Sequence, residues 1–296
     1  MNLNRPVNPT ELLRQTRRIQ LRTSHRVDDM LAGSWSSAFQ GRGMEFEEVR
    51  PYQVGDDVRA IDWNVTARTG EPFVKLFREE RELSVQLLVD GSGSLSIGTR
   101  TQTKHALVTE LVATIALSAI KNQDKVGLTI FTDRIEKAVP PRSGSRHTLR
   151  LIRELLAWSS DHGGTDLAVG LRHLARTARR RSIVFFISDF QDDAFDRELR
   201  LACRRHDLIP VIVSDPRERH LPPVGLVRLR DVETGQLVTL DTSSRRHRQA
   251  YQRMAEEADQ RRDAMLRRLQ LQPLRLQTGQ DIVSPLQRYL DQRERA

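Results

Sequence analysis

Asp90-Gly91-Ser92-Gly93-Ser94 places one carboxylate and two hydroxyls on alternate residues of a glycine-spaced stretch. All three are oxygen donors, which is the ligand chemistry that hard divalent cations select. Mg2+ takes about six oxygens at roughly 2.0–2.1 Å, several of them water. Gly91 and Gly93 leave the backbone free to bring the three side chains together. A second carboxylate, Asp189, stands at the end of an apolar run, just as Asp90 does. Between them, Gly163-Gly164-Thr165-Asp166 offers a further hydroxyl on a flexible turn. Taken singly, each feature is also what a strand-to-helix turn or a helix cap uses. Taken together, Asp90, Ser92, Ser94, Thr165 and Asp189 make a five-oxygen cluster. Two carboxylates brought close repel, so a cation between them has a physical reason to be there.

The elements on either side decide whether these residues can meet. Residues 83–89 and 182–188 are short, apolar and bounded, as buried strands are. Strands are also predicted at 126–131 and 208–213, with an edge strand over 134–139 ended by Pro140-Pro141. Helical patterns occupy 101–122, apolar on most sides, then 146–158, 166–179 and 194–206. Strands alternating with helices predict an α/β fold, a doubly wound, mostly parallel sheet with a small N-terminal β unit. Asp90 and Asp189 then lie on one rim, at the carboxyl ends of strands, where such sheets bind ligands.

Four units are expected. Residues 1–25 carry a short basic amphipathic helix, read as a packed cap. Residues 26–82 form the β unit, with extended runs at 41–50, 59–64 and 72–77. Its Asp56, Asp57 and Asp62 lie near Arg50, Arg59 and Arg68, an arrangement read as ion pairs in preference to a second metal cluster. Residues 83–215 are the α/β domain. Residues 216–296 add a hairpin (227–230 with 237–240), a long helix to about 271, a strand at 274–276 and a terminal helix at 284–293. The long helix is given an apolar stripe of Tyr251, Met254, Ala255, Ala258, Met265, Leu266 and Leu269, with Arg262 on its outer face.

Composition removes several classes. The single cysteine, Cys203, excludes an internal disulfide framework and a Cys-based zinc site. No run reaches the ~18 apolar residues of a membrane span, and the first residues lack the apolar core of a signal peptide, so a cytoplasmic protein is expected. The net charge of +9 invites a nucleic-acid reading. Yet 39 acidic residues are spread among 48 basic ones and aromatics are 5%, without the interleaving of single-strand binders. A solvated Arg-rich surface is the preferred account.

In type and order, Asp90-x-Ser92-x-Ser94, Thr165 and Asp189 resemble the metal-ion-dependent adhesion site of von Willebrand factor type A domains. That resemblance implies Ser and Thr hydroxyls on Mg2+ (or Mn2+), Asp residues acting directly or through water, and an acidic residue of a partner completing the shell. The preceding block is more specific: Gly41-Arg42-Gly43-Met44-Glu45-Phe46, Arg50-Pro51-Tyr52, then Gly55-Asp56-Asp57-Val58-Arg59-Ala60-Ile61-Asp62-Trp63 and Ala67-Arg68. Over roughly residues 30–290 the chain resembles the bacterial domain of unknown function 58 (DUF58) family, which joins this signature to a von Willebrand type A-like domain. Relatives are often linked with MoxR-type AAA+ ATPases, which implies an adaptor or chaperone-like role. Many carry N-terminal membrane helices, for which no segment is seen here.

Two rival classes share part of this pattern. A Mg2+-dependent phosphohydrolase also uses strand-end Asp residues, but the sequence has no Gly-x-Ser-x-Gly elbow, phosphate-binding loop or His-Glu-x-x-His. His147, His162 and His173 fall nearest the rim and are read as surface residues. A nucleic-acid binder rests on charge alone. The reading adopted is a non-enzymatic, Mg2+-dependent protein-interaction module that partners a MoxR-type ATPase or a client offering an acidic residue.

Overall fold

The computed structural model describes residues 44–79, 83–96, 98, 102–159, 164–192, 194–230 and 237–295, and also Arg14, Thr16, Arg17, Ile19, Trp35, Ala38 and Phe39. The N-terminal helix expected within residues 1–25 lies mostly outside these; Arg14, Thr16, Arg17 and Ile19 are helical. Strands β1 (Met44–Pro51) and β2 (Phe73–Glu79) pair antiparallel, Met44 opposite Glu79 and Pro51 opposite Phe73. The extended run expected over 59–64 is not formed. Val58–Ala60 is a 3-10 turn and Trp63–Thr69 is helix α1. Capping explains the difference: Asp57 accepts from the Arg59 amide, and Asp62 accepts from those of Asn64 and Val65. These local bonds favour a helical start over the alternating side-chain pattern.

From β3 (Ser84–Asp90) the chain continues through α2 (Lys104–Lys121), β4 (Lys125–Phe131), β5 (Ile135–Arg142), α3 (Ser145–Leu156), α4 (Leu167–Thr177), β6 (Ile183–Ser188), α5 (Asp196–Arg205) and β7 (Asp207–Ser214). The hairpin β8 (Leu226–Arg230) and β9 (Leu237–Asp241) follows, then α6 (Arg245–Arg268), β10 (Leu274–Gln277) and α7 (Val283–Glu294). Among the described residues, six strands form the central sheet in the order β10-β7-β6-β3-β4-β5. All neighbours are parallel except β4 and β5. The fold is α/β with a mostly parallel sheet, as the alternation of elements predicts.

The sheet grows from β3 through β4 to β5, then the chain returns to β3 and grows the other way through β6, β7 and β10. The reversal between β3 and β6 is the point where open α/β sheets leave a crevice beyond their carboxyl ends. Alternate side chains divide between two cores. Val85, Leu87 and Val89 of β3 and Phe185 of β6 pack with α2, α3 and α7, together with Trp35 and Phe39. Leu88 of β3 with Val184 and Phe186 of β6 packs with α4, α5 and Leu266 of α6. Each large side chain fully buried here contributes about 1.5–3 kcal/mol. Gly170 lets α4 close on this second core, since a Cβ there would lie 2.7 Å from the Phe131 ring.

Two further expectations are corrected. Strand β5 runs through Pro140-Pro141 to Arg142 instead of ending before them, because an edge strand tolerates residues that lack an amide donor. On α6, Met254 is 69% exposed, whereas Arg262 is buried. The guanidinium is held by Asp259 at 2.7 Å and Asp263 at 3.3 Å, which offsets its desolvation.

Candidate metal centre

The loop after β3 is pinned on two sides. The Gly91 amide donates to the Phe131 carbonyl at 2.7 Å, and the Trp158 indole donates to the Gly91 carbonyl at 3.2 Å. A Cβ at Gly91 would fall 2.7 Å from Ile130 Cγ2 and 2.8 Å from Trp158 Nε1, so only glycine permits this approach. The Ser92 amide donates to Asp90 Oδ1 at 3.0 Å, the local bond that Asp favours in turns. This curls the chain into the 3-10 turn Gly93–Ser96 and brings the Ser92 and Ser94 hydroxyls to 3.1 Å from each other. Two hydroxyl oxygens thus sit next to a carboxylate that is only 2% exposed.

From the neighbouring strand β6, Ser188 Oγ donates to Asp90 Oδ2 at 2.7 Å and accepts from the Phe190 amide at 3.0 Å. Phe190 has a φ of 56°, a left-handed conformation that turns the chain just past Asp189. Burial, reinforced by the negative charge of Asp189, pushes the Asp90 carboxyl up to about 6, against the pull of its bonds to Ser188 and Ser92. Asp189 Oδ2 lies 3.1 Å from the ammonium of Lys104, which also pairs with Glu218. Burial alone would lower the Lys104 pKa, but Asp189 and Glu218 together hold it above its ordinary value. Burial raises the Glu218 carboxyl in spite of Lys104. Arg262 Nη1 reaches the Asp189 carbonyl at 3.4 Å, so α6 also abuts this rim.

Thr165 is half-buried and sits beyond the end of β4, on the other side of β3. Its neighbour Asp166 caps α4 through the Ala168 amide, and the Asp166 amide donates to the Thr132 carbonyl at 3.2 Å. The sequence-derived residues therefore lie at the carboxyl ends of neighbouring strands, with Asp90, Ser92 and Ser94 grouped after β3, Asp189 close by after β6, and Thr165 beside the end of β4. Their donor set is all oxygen, a type that suits Mg2+ or Mn2+. Among the described residues no group of three or more His, Cys, Asp or Glu forms a ligand cluster, so the hydroxyls are essential to any site here. Among the described residues, Lys104 faces both Asp189 and Glu218, and Asp90 is set beside Asp189 without an ammonium of its own, an excess of carboxylate that a divalent cation would reduce.

Sequence reasoning missed Ser188, Lys104, Glu218 and Arg262 as parts of this rim. A signal existed for Glu218, since Asp215-Pro216-Arg217-Glu218 spells a capping box, and one forms. The carboxylates of the N-terminal unit have other duties: Asp56 takes both Arg50 Nη atoms at 2.7 Å, Asp57 caps, and Asp62 caps and pairs with Lys75 instead of an arginine. His147 Nε2 bonds the Val126 carbonyl, His173 is half-buried, and His162 lies outside the described residues.

The model of the protein family of unknown function DUF58 matches residues 48–262. Uncharacterized proteins of Mycobacterium tuberculosis and Mycobacterium bovis are 35% identical over 232 residues, covering 77% of this chain and 73% of theirs. The chain belongs to the DUF58 family. Among solved structures, the conserved hypothetical protein BatB of Bacteroides thetaiotaomicron has 12% identity and a TM-score of 0.47, over 72% of this chain and 100% of that one. An aerotolerance-related membrane protein of Bacteroides fragilis has 14% identity and a TM-score of 0.46, over 72% and 98%. Such likeness is too distant to transfer a site or an activity to this DUF58 chain. Among its described residues, no helix is long and apolar enough to cross a membrane.

Proposed function

We propose that this DUF58 protein is a non-enzymatic protein-interaction module of the von Willebrand factor type A kind, dependent on Mg2+ or Mn2+ at the β3–β6 rim. Ser92, Ser94 and Thr165 would hold the ion through hydroxyls, with Asp90 and Asp189 bound directly or through water. The observation that carries this reading is the close hydroxyl pair of Ser92 and Ser94 beside buried Asp90, on a rim with surplus carboxylate. When bound, the ion supplies an electrophilic position that a carboxylate of a partner can fill.

The chain's own residues prepare that position. Trp158 and the Phe131 carbonyl fix the loop, Ser188 orients Asp90, and Lys104 orients Asp189. The partner is a protein offering an acidic residue, a MoxR-type AAA+ ATPase or its client, in an adaptor or chaperone-like role in the cytoplasm. Family membership and the order of the five residues support this assignment. A phosphohydrolase has less support, because the sequence carries no Gly-x-Ser-x-Gly elbow, phosphate-binding loop or His-Glu-x-x-His.

The deciding experiment is a calorimetric titration with millimolar Mg2+, joined to reconstitution with the purified ATPase in Mg2+ or chelator. Binding to the folded state alone should add about 2.7 kcal/mol of stability at a hundredfold excess over Kd. The complex should be lost in chelator. Absence of both heat and melting shift rejects the metal site; a complex indifferent to chelator rejects the mechanism.

A further inference from the structure

Lys104 is 1% exposed and stands in the first turn of α2, a helix most of whose residues are buried. It follows shortly after the Asp90–Ser94 stretch in sequence. Gly98 bridges to Thr103, where a Cβ on Gly98 would lie only 2.4 Å from Thr103 Cα. Thr103 caps α2 through the Ala106 amide, and the next residue is Lys104. The same short segment therefore carries the candidate ligands at one end and a buried ammonium at the other. That ammonium meets Asp189 from the β6 rim and Glu218 from the turn after β7.

We infer that Lys104 is a tethered counter-cation of the metal site: it neutralises part of the carboxylate charge that the divalent ion would otherwise face, so the chain folds metal-free and binds the ion weakly. The inference rests on the metal reading proposed above. Two observations carry it. Asp189 is shared, because the oxygen that faces Lys104 is already occupied by a charge fixed to the protein. Glu218 is not a candidate ligand; it belongs to a capping box with Asp215 and holds the other side of the ammonium. A cation so held cannot leave as a hydrated ion can. It opposes a second cation nearby, since like charges in a poorly solvated rim repel strongly. Its presence also explains how Asp189 and Glu218 can share the rim without a metal.

The test compares wild type, Lys104→Gln, Lys104→Arg and Glu218→Gln, each by Mg2+ calorimetry and by melting in chelator and in Mg2+. Lys104→Gln should bind Mg2+ about ten-fold tighter or more. It should melt well below wild type in chelator and recover most of that loss in Mg2+. Lys104→Arg keeps the charge and should leave Mg2+ affinity near the wild-type value. Glu218→Gln removes surplus carboxylate and should weaken Mg2+ binding several-fold. Lys104→Gln that binds Mg2+ no tighter than wild type overturns the inference while leaving the metal site standing. So does a chelator melting loss that Mg2+ does not repair. If Lys104→Gln fails to fold in either condition, Glu218→Gln decides, and unchanged affinity there overturns the inference. Mg2+ binding that appears only in Lys104→Gln supports it. No binding in any variant overturns both the inference and the metal reading.

Discussion

Ser188 Oγ donates to Asp90 Oδ2 across 98 residues of sequence, joining the two strands on either side of the point where the sheet reverses its growth. The bond places a hydroxyl against a buried carboxylate and, through the Phe190 amide, ties the rim's tight turn to the same oxygen.

Replacing Ser188 by Ala leaves the Asp90 oxygen and the Phe190 amide without this partner. An unsatisfied buried group costs about 1–3 kcal/mol, more when charged. Because the Ser188 bond favours the ionised form, the loss should be greater at pH 7 than at pH 4.5. Chemical denaturation of the Ser188→Ala protein at both pH values checks this, and equal losses would count against an ionised Asp90.

Asp90→Asn should act in opposite directions on fold and function. With its folded pKa near 6, raised above the ordinary carboxylate value, Asp90 favours the metal-free fold at low pH and loses that contribution as pH climbs from about 4 through 6. In chelator at pH 7 the Asn variant should therefore be no less stable than wild type, and up to about 1–3 kcal/mol more stable. Its Mg2+ affinity and chelator-sensitive partner binding should collapse. Paired melting and titration on both proteins provide the measurement; undiminished partner affinity would sink the adhesion-type mechanism.

His206 is buried at the end of α5, and neither ring nitrogen has a hydrogen-bond partner among the described residues. Burial first, then Arg205 and Arg181, depress its pKa to about 4. A depressed value means the folded state resists protonation, so stability is full above about 6.5 and is lost as pH falls from there towards 4. His206→Leu should flatten this acid limb, in chelator, where Asp90 pulls the opposite way. An unchanged slope between pH 6.5 and 4 would show that another group governs it.

Strands β3, β6 and β7 were legible because each is a short apolar run that ends at a polar residue, and Asp90 and Asp189 could be placed on one rim from that alone. The α/β class follows from the same pattern. What escaped notice depends on contacts between segments distant in sequence. Lys104 looks like a polar residue at the start of an apolar helix, and nothing near it in sequence announces Asp189 or Glu218. Ser188 looks like the last residue of a strand, and only the β3–β6 pairing aims it at Asp90. The exchange of Met254 and Arg262 on α6 has a related cause. Periodicity assigns a face by hydrophobicity, whereas ion pairs with Asp259 and Asp263 let an arginine occupy the inner one. The missed helix α1 shows local chemistry winning over alternation, since Asp62 was a readable cap.

Pro140 and Pro141, on the outermost strand of the central sheet, have a bearing on how partners can approach. A visiting strand docks on a sheet by exchanging main-chain hydrogen bonds with an exposed edge. Two successive residues without an amide proton interrupt that ladder at this end of β5, which discourages both stray self-association and recruitment by strand addition. Any partner that approached along β5 would therefore meet an edge poorly suited to backbone zippering.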